Sequence, residues 1–294
     1  MFPKRQGQRQ RSPITTSRLG GLVFALLLVL VLVLPLGRGA PTAFAIGDRG
    51  ADGEFERRDS FHFTLYQDVD IDESGGLYGS RRFEQQILAE LEGAFDSLDR
   101  LLSLRPEKKI VVYVWDPALF DREYSELFRF PAAGFYGGAI HIRGTDRITP
   151  RLVRVLHHEL VHAAFDVEAP RLRLPAWMNE GVAEWFEARA MGKRALTARE
   201  RGILSQHARQ GQLFSLADLS APSLGGFEPS AAAVAYLQSY AFIDYLVTTH
   251  GEGDLVRFWS AVVRSRSLER AARQAYRSDL GELESEFKKA LSKG

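Results

Sequence analysis

His157-His158-Glu159-Leu160-Val161-His162, followed by Pro175-Ala176-Trp177-Met178-Asn179-Glu180-Gly181-Val182-Ala183-Glu184-Trp185, is the stretch from which the rest of the chain can be read. Thr149 and Pro150 supply an N-cap and a first-turn proline, so a helix is expected over 150–166. Histidines four apart project from one face of such a helix, within reach of a single ion. Val155 and Glu159 share that face, whereas Leu156, Leu160 and Ala163 point roughly opposite, toward a core. Two imidazoles need one more ligand for a catalytic zinc, which takes three protein ligands and leaves a fourth position to water. Glu180 is the expected third ligand, on a second helix over 176–191 that can pack antiparallel to the first after a turn through Pro170. Glu184, four residues on and on the same face, is placed to accept a hydrogen bond from the outer ring nitrogen of a ligand histidine. Gly181 is expected to let these two helices approach closely.

Upstream of this core the patterns change from helix to strand. Phe61 to Tyr66 and Ile110 to Trp115 read as strands, the second a β-branched run expected to be buried. Between them, Ile87, Leu88, Leu91, Phe95, Leu98 and Leu102 mark a helix over 83–104. Gly137-Gly138 precedes a short strand, Ala139 to Ile142, which is a candidate edge for pairing with an extended peptide. Downstream, helices are expected at 197–210, 230–250, 253–265 and 267–292. The expected architecture is α+β: an N-terminal mixed α/β lobe, then a helical C-terminal lobe, with the site where they meet.

The 294 residues contain no cysteine, which excludes disulfides and thiolate metal sites. The first 45 residues have a different character from the remainder. Residues 1–18 are basic without an acid, and 19–36 run without a charge, as an export signal or a membrane anchor would. The run of 18 leaves both open, and Ala43-Phe44-Ala45 has the form of a cleavage site. Positive residues stay in the cytoplasm, so the remainder is expected outside it, joined by a flexible tether over 37–60 to a domain over 61–294. Residues 1–45 hold six basic side chains and no acid, so beyond them 32 bases face 37 acids. The slightly basic whole-chain balance therefore gives no reason to expect a nucleic-acid partner.

The His-Glu-x-x-His helix followed by Trp-x-Asn-Glu-Gly-x-Ala-Glu resembles the gluzincin metallopeptidases, the thermolysin-like enzymes and zinc aminopeptidases, and looks closest to their compact peptidase MA-like relatives. The resemblance implies a zincin-like fold, zinc on His158, His162 and Glu180, Glu159 as catalytic base, Glu184 behind a ligand histidine, and a peptide or protein substrate. It also places Tyr236, in Tyr236-Leu237-Gln238-Ser239-Tyr240, at the position that steadies the oxyanion, although serine stands at Ser239 where the aminopeptidases have glycine. Tyr240, one turn on, is the competing candidate. Two departures stand out: 17 residues separate His162 from Glu180 where aminopeptidases usually have one more, and no Gly-x-Met-Glu-Asn stretch is present to hold a free amine. Endopeptidase is thus preferred over exopeptidase.

Other candidates read more simply as structure. His157 points elsewhere on its helix, His141 is a partly exposed strand histidine with a possible substrate contact, and Glu187 extends the Glu180 and Glu184 stripe as a solvated carboxylate. Trp177, Trp185, Phe186, Tyr245 and Trp259 read as core. The rival from another class is a zinc-containing protein that holds a peptide or protein partner at the membrane without cutting it; Glu159 argues against it, since a pure binding site has no need of a base beside the metal.

Overall fold

The computed structural model describes residues 55–68, 79–127, 132–145 and 147–293. The basic segment 1–18, the apolar run 19–36 and the cleavage site near Ala45 lie outside the described residues. Among the described residues no helix is long and apolar enough to cross a membrane.

The elements follow in chain order as β1 (Glu56–Asp59), β2 (Phe63–Gln67), α1 (Gly79–Leu102), β3 (Ile110–Trp115), α2 (Pro117–Tyr124), β4 (Gly134–Tyr136), β5 (Ile140–Arg143), α3 (Pro150–Glu168) and α4 (Ala176–Ala190). The rest are helical: α5 (Ala198–Arg209), α6 (Pro229–His250), α7 (Glu252–Ser265), α8 (Leu268–Tyr276) and α9 (Leu280–Lys293). The fold is α+β and mostly helical. Its sheet runs β1-β2-β3-β5-β4, with β2, β3 and β5 parallel and the two outer strands antiparallel to their neighbours.

Period-two alternation divides the sheet's two faces. Phe63, Leu65, Ile110, Val112, Val114, Ile140 and Ile142 point into the core, where they join the apolar stripe of α1 (Ile87, Leu91, Leu98) and the apolar side of α3 (Leu156, Leu160, Ala163). On the opposite face Tyr66, Tyr113, His141 and Phe135 stack one on the next across four strands, with ring centroids 4.9, 5.2 and 4.7 Å apart.

Several expectations need correction. Glu56–Asp59 is not tether but a strand in register with β2. The strand at 140–143 is internal, because Gly134–Tyr136 folds back on it through Gly137 and Gly138, the latter at φ 90°, so β4 is the edge on this side of the sheet. Three residues carry too little alternation to be read as a strand. The helix expected over 267–292 is two, broken at Arg277 in the left-handed region (φ 59°) and restarted by Asp279, whose side chain accepts from Glu282 N. Gly181 faces α6 rather than α3: a Cβ there would lie 2.6 Å from Ser239 O and 2.9 Å from Ile243 Cγ1.

Candidate metal centre

Thr149 caps α3 by accepting from Leu152 N, and Pro150 occupies its first turn, so the helix starts where the sequence dictates. The helix is buried from Val155 to Phe165. Arg154 and His158 meet Glu187 while His162 meets Asn179, so α4 runs antiparallel to α3. That register carries Glu180 to the histidine pair.

His158 Nε2 lies 3.4 Å and His162 Nε2 3.7 Å from the same Glu180 oxygen, Oε2. The three side chains offer ligand atoms within 4.8 Å of one another. Metal–ligand bonds of ~2.1 Å in a tetrahedron place ligand atoms ~3.4 Å apart, so the spacing suits an ion of that size. The two ring nitrogens and both Glu180 oxygens are buried and have no hydrogen-bond partner. A folded protein leaves such groups unpaired at a cost, and a divalent cation would satisfy them together. The donor set, two imidazoles and one carboxylate, is that of a three-ligand zinc site with a free position.

The electrostatics point the same way. Burial alone would push His158 down, but Glu180 and Glu187 at its two nitrogens outweigh it and hold it well above the ordinary imidazole value. Burial and the neighbouring His158 push His162 well below that value. Glu180 is raised by burial, and Glu159 is raised to about 8 by burial, against the pull of His158. Both Glu159 oxygens are buried without a partner. A carboxylate drawn toward neutral pH beside a metal-ligand set has the character of a proton carrier.

Each histidine also has an outer partner. His162 Nδ1 donates to Asn179 Oδ1, 3.1 Å away. At His158 Nδ1 the neighbour is Glu187 Oε2 at 3.4 Å, with no such contact from Glu184. Glu184 is half-buried and shares the neighbourhood, since it, His158 and Glu187 offer atoms within 4.8 Å of one another; burial and then Glu187 raise its carboxyl to about 8. Glu187 is not solvated: it is buried and accepts from Arg154 Nε at 2.5 Å. Sequence reading passes over Asn179 and Arg154 and takes Glu187 for a solvated carboxylate. The available signal was that Glu187 lies seven residues, two turns, beyond Glu180 on the same helix face.

The remaining candidates are dispersed. Tyr236 is buried on α6. Tyr240, a turn on, has Lys193 Nζ 4.3 Å above its ring, and burial followed by Asp244 raises its phenol. His141 stands on the sheet face away from α3, accepts from Trp115 Nε1 at 3.1 Å and is pushed down to about 4 by burial, as a packing residue would be. His157 Nδ1 donates to Val153 O. Trp177, Trp185, Phe186 and Trp259 are core, with Tyr245 packed against it.

No curated protein matches the chain. The family model of the Peptidase MA superfamily matches residues 108–293, which span β3 to the C-terminal helix and contain every residue of the site. That superfamily is generally metal-dependent, and membership supports a peptidase, a hydrolase, at the coarse level. Over this span, with an unpaired histidine, histidine and glutamate set at its centre, the chain belongs to the Peptidase MA superfamily.

Proposed function

We propose that this chain is a zinc-dependent endopeptidase acting outside the cytoplasm, tethered by or released from its N-terminal apolar segment. The observation that carries the reading is the meeting of His158, His162 and Glu180, each with unpartnered buried ligand atoms, beside the equally unpartnered Glu159. Zinc bound there would supply Lewis acidity and lower the pKa of a coordinated water toward ~7. Glu159 then accepts the proton as water attacks the scissile carbonyl and passes it to the leaving amine. Tyr236 is the proposed donor to the developing oxyanion.

A track for substrate runs beside this set. Val155, Glu159, His162 and Asp166 form one stripe of α3. β4 is fastened along that stripe at two points: a Cβ on Gly134 would lie 2.7 Å from Val155 Cγ1, and Tyr136 OH donates to Asp166 Oδ2 at 2.8 Å. As an edge strand of the sheet, on the side of α3, β4 would pair with an extended peptide and lead it past Glu159 and His162. Such a track holds main chain rather than a chain end, which favours cutting within a peptide. The export reading is supported by the basic 1–18 and uncharged 19–36 segments.

The rival, a zinc-containing protein that holds a peptide or protein partner, draws on the enclosure of the centre: His158, Glu159 and Glu180 have 0 % exposure. One experiment separates the two. Zinc per chain is measured in the purified full chain, and cleavage of a mixed peptide library is compared with that by Glu159→Gln. One zinc in each, cleavage by the wild type and a loss of about 10²–10⁴ in the variant are expected. One zinc in each with no cleavage by either would establish the binding-protein reading.

A further inference from the structure

We propose that the corner made by α7 and α8 is a membrane-docking surface, on which five arginines hold the domain against anionic phospholipid headgroups. The inference goes beyond peptide cleavage and rests on one part of the proposed function, the anchoring of the chain by its N-terminal apolar segment. From Arg264 to Arg277 the chain carries Arg264, Arg266, Arg270, Arg273 and Arg277 against a single acid, Glu269, although beyond residue 45 acids outnumber bases, 37 to 32. No lysine is among them. The guanidinium fork matches two phosphate oxygens at once, which a lysine cannot do.

Burial sorts α8 into two sides. Ala271, Ala272, Ala275 and Tyr276 are buried, while Arg270, Arg273 and Arg277, at i, i+3 and i+7, line the opposite, exposed side. Arg264 in the last turn of α7 and Arg266 just after it add two exposed guanidinium groups ahead of that row. None of the five is ion-paired with a described residue, whereas the acids nearby are engaged: Asp254 pairs with Arg257, Glu269 accepts from Leu280 N, and Asp279 and Glu282 accept from Glu282 N and Ser278 Oγ. Arg266 and Arg277 are also held in the left-handed region, at φ 53° and 59°, as the C-caps of α7 and α8. Glycine adopts that conformation without penalty, so a cation stands at two places where the backbone favours its loss.

Charge and reach identify the occupant. Residues 37–54 join the proposed anchor, 19–36, to Phe55 over at most about 60 Å, so a bilayer surface stays close to the domain. Each basic residue brought to an anionic surface strengthens binding about 5-fold. The corner is also tied to the helices that carry the site: Trp259 of α7 stacks 4.3 Å from Phe165 of α3, and Phe258 lies 6.5 Å from Trp177 of α4 and 5.3 Å from Tyr276 of α8. Docking through it would therefore fix the orientation of the site over the bilayer.

The test uses the full chain reconstituted into vesicles of phosphatidylcholine, with or without phosphatidylglycerol, that carry a trace of headgroup-dansylated lipid. Energy transfer from the tryptophans of the domain to the dansyl group reports docking. Two variants are compared with the wild type: Arg270→Gln, Arg273→Gln and Arg277→Gln together, and the same three positions changed to Lys. Expected is stronger transfer on the anionic vesicles than on the neutral ones, lost at high salt. The ratio of docked to undocked domain should fall about 10²-fold in the glutamine variant and largely survive in the lysine variant, with the unfolding temperature of both unchanged. Equal transfer on the two lipids, or a glutamine variant that docks like the wild type, overturns the proposal. Arginine-dependent binding of an anionic polysaccharide or an acidic protein, without any effect of lipid charge, gives the corner another occupant and overturns it too. If alkaline carbonate extracts the chain from the vesicles, the anchoring reading fails, and cosedimentation of the extracted chain with anionic against neutral vesicles still decides the role of the corner.

Discussion

The proposed role of Glu159 as a base rests on its surroundings more than on its type. A carboxylate in water is a poor match for proton transfer near neutrality, and burial among unpaired groups brings this one up to about 8. A bound dication at the histidine pair would pull it back down, so the poise belongs to residue and metal together. Two tyrosines on α6 are the candidates for the proposed oxyanion donor. Both are buried in the core one turn apart; Tyr240 has Lys193 above its ring and feels the charges of Asp244 and Glu200. The expected outcome is that Tyr236→Phe lowers kcat by about 10²–10³ with zinc content unchanged, while Tyr240→Phe has little effect on kcat. Steady-state kinetics on one peptide substrate check both.

Among the elements, α4 is the one on which the site depends most, because it faces partners on two sides. Toward α3 it presents Asn179, Glu180 and Glu187; toward α6 it presents Gly181, over which the Ser239 carbonyl sits too closely for any side chain. Gly181→Ala must push α4 and α6 apart, and overpacking of this kind costs about 1–3 kcal/mol. A lower urea midpoint with an unchanged slope is the expected result. β4 is the second such element. Its sequence, Gly134-Phe135-Tyr136, is too short to declare itself, yet it comes to lie along the stripe of Glu159 and His162 because glycine lets it approach Val155 and tyrosine reaches Asp166. A sequence reading places the edge one strand too far along for this reason: the two glycines look like the start of a strand when they are the turn between two.

For the whole molecule, the site lies where the mixed lobe and the helical lobe join, with α3 packed on the sheet by one side and on α4 by the other. Enclosure at this junction leaves several ionisable groups away from water with few partners, so the metal-free protein carries a desolvation cost that zinc would offset. Zinc at a hundred times its dissociation constant stabilises the folded state by about 2.7 kcal/mol, which for a domain of this size raises the unfolding temperature by about 5–10 °C. Calorimetry of the full chain before and after exhaustive chelation, with zinc restored, measures this. A chelated protein that melts at the same temperature would argue that the cluster holds no ion.

The pairing of His158 with His162, and Glu159 beside them, was readable because it follows from local rules: a four-residue spacing puts side chains on one helix face, and Thr149-Pro150 announces where that helix begins. The α+β order and most helix limits were legible for the same reason, each being written in a contiguous hydrophobic period. Only the fold decided that Glu187 and Asn179 stand behind the histidines, that Gly181 serves α6, and that β4 is the edge. Those facts depend on the register of one element against another. That register comes from the shapes of two packed surfaces, which no single stretch of sequence contains.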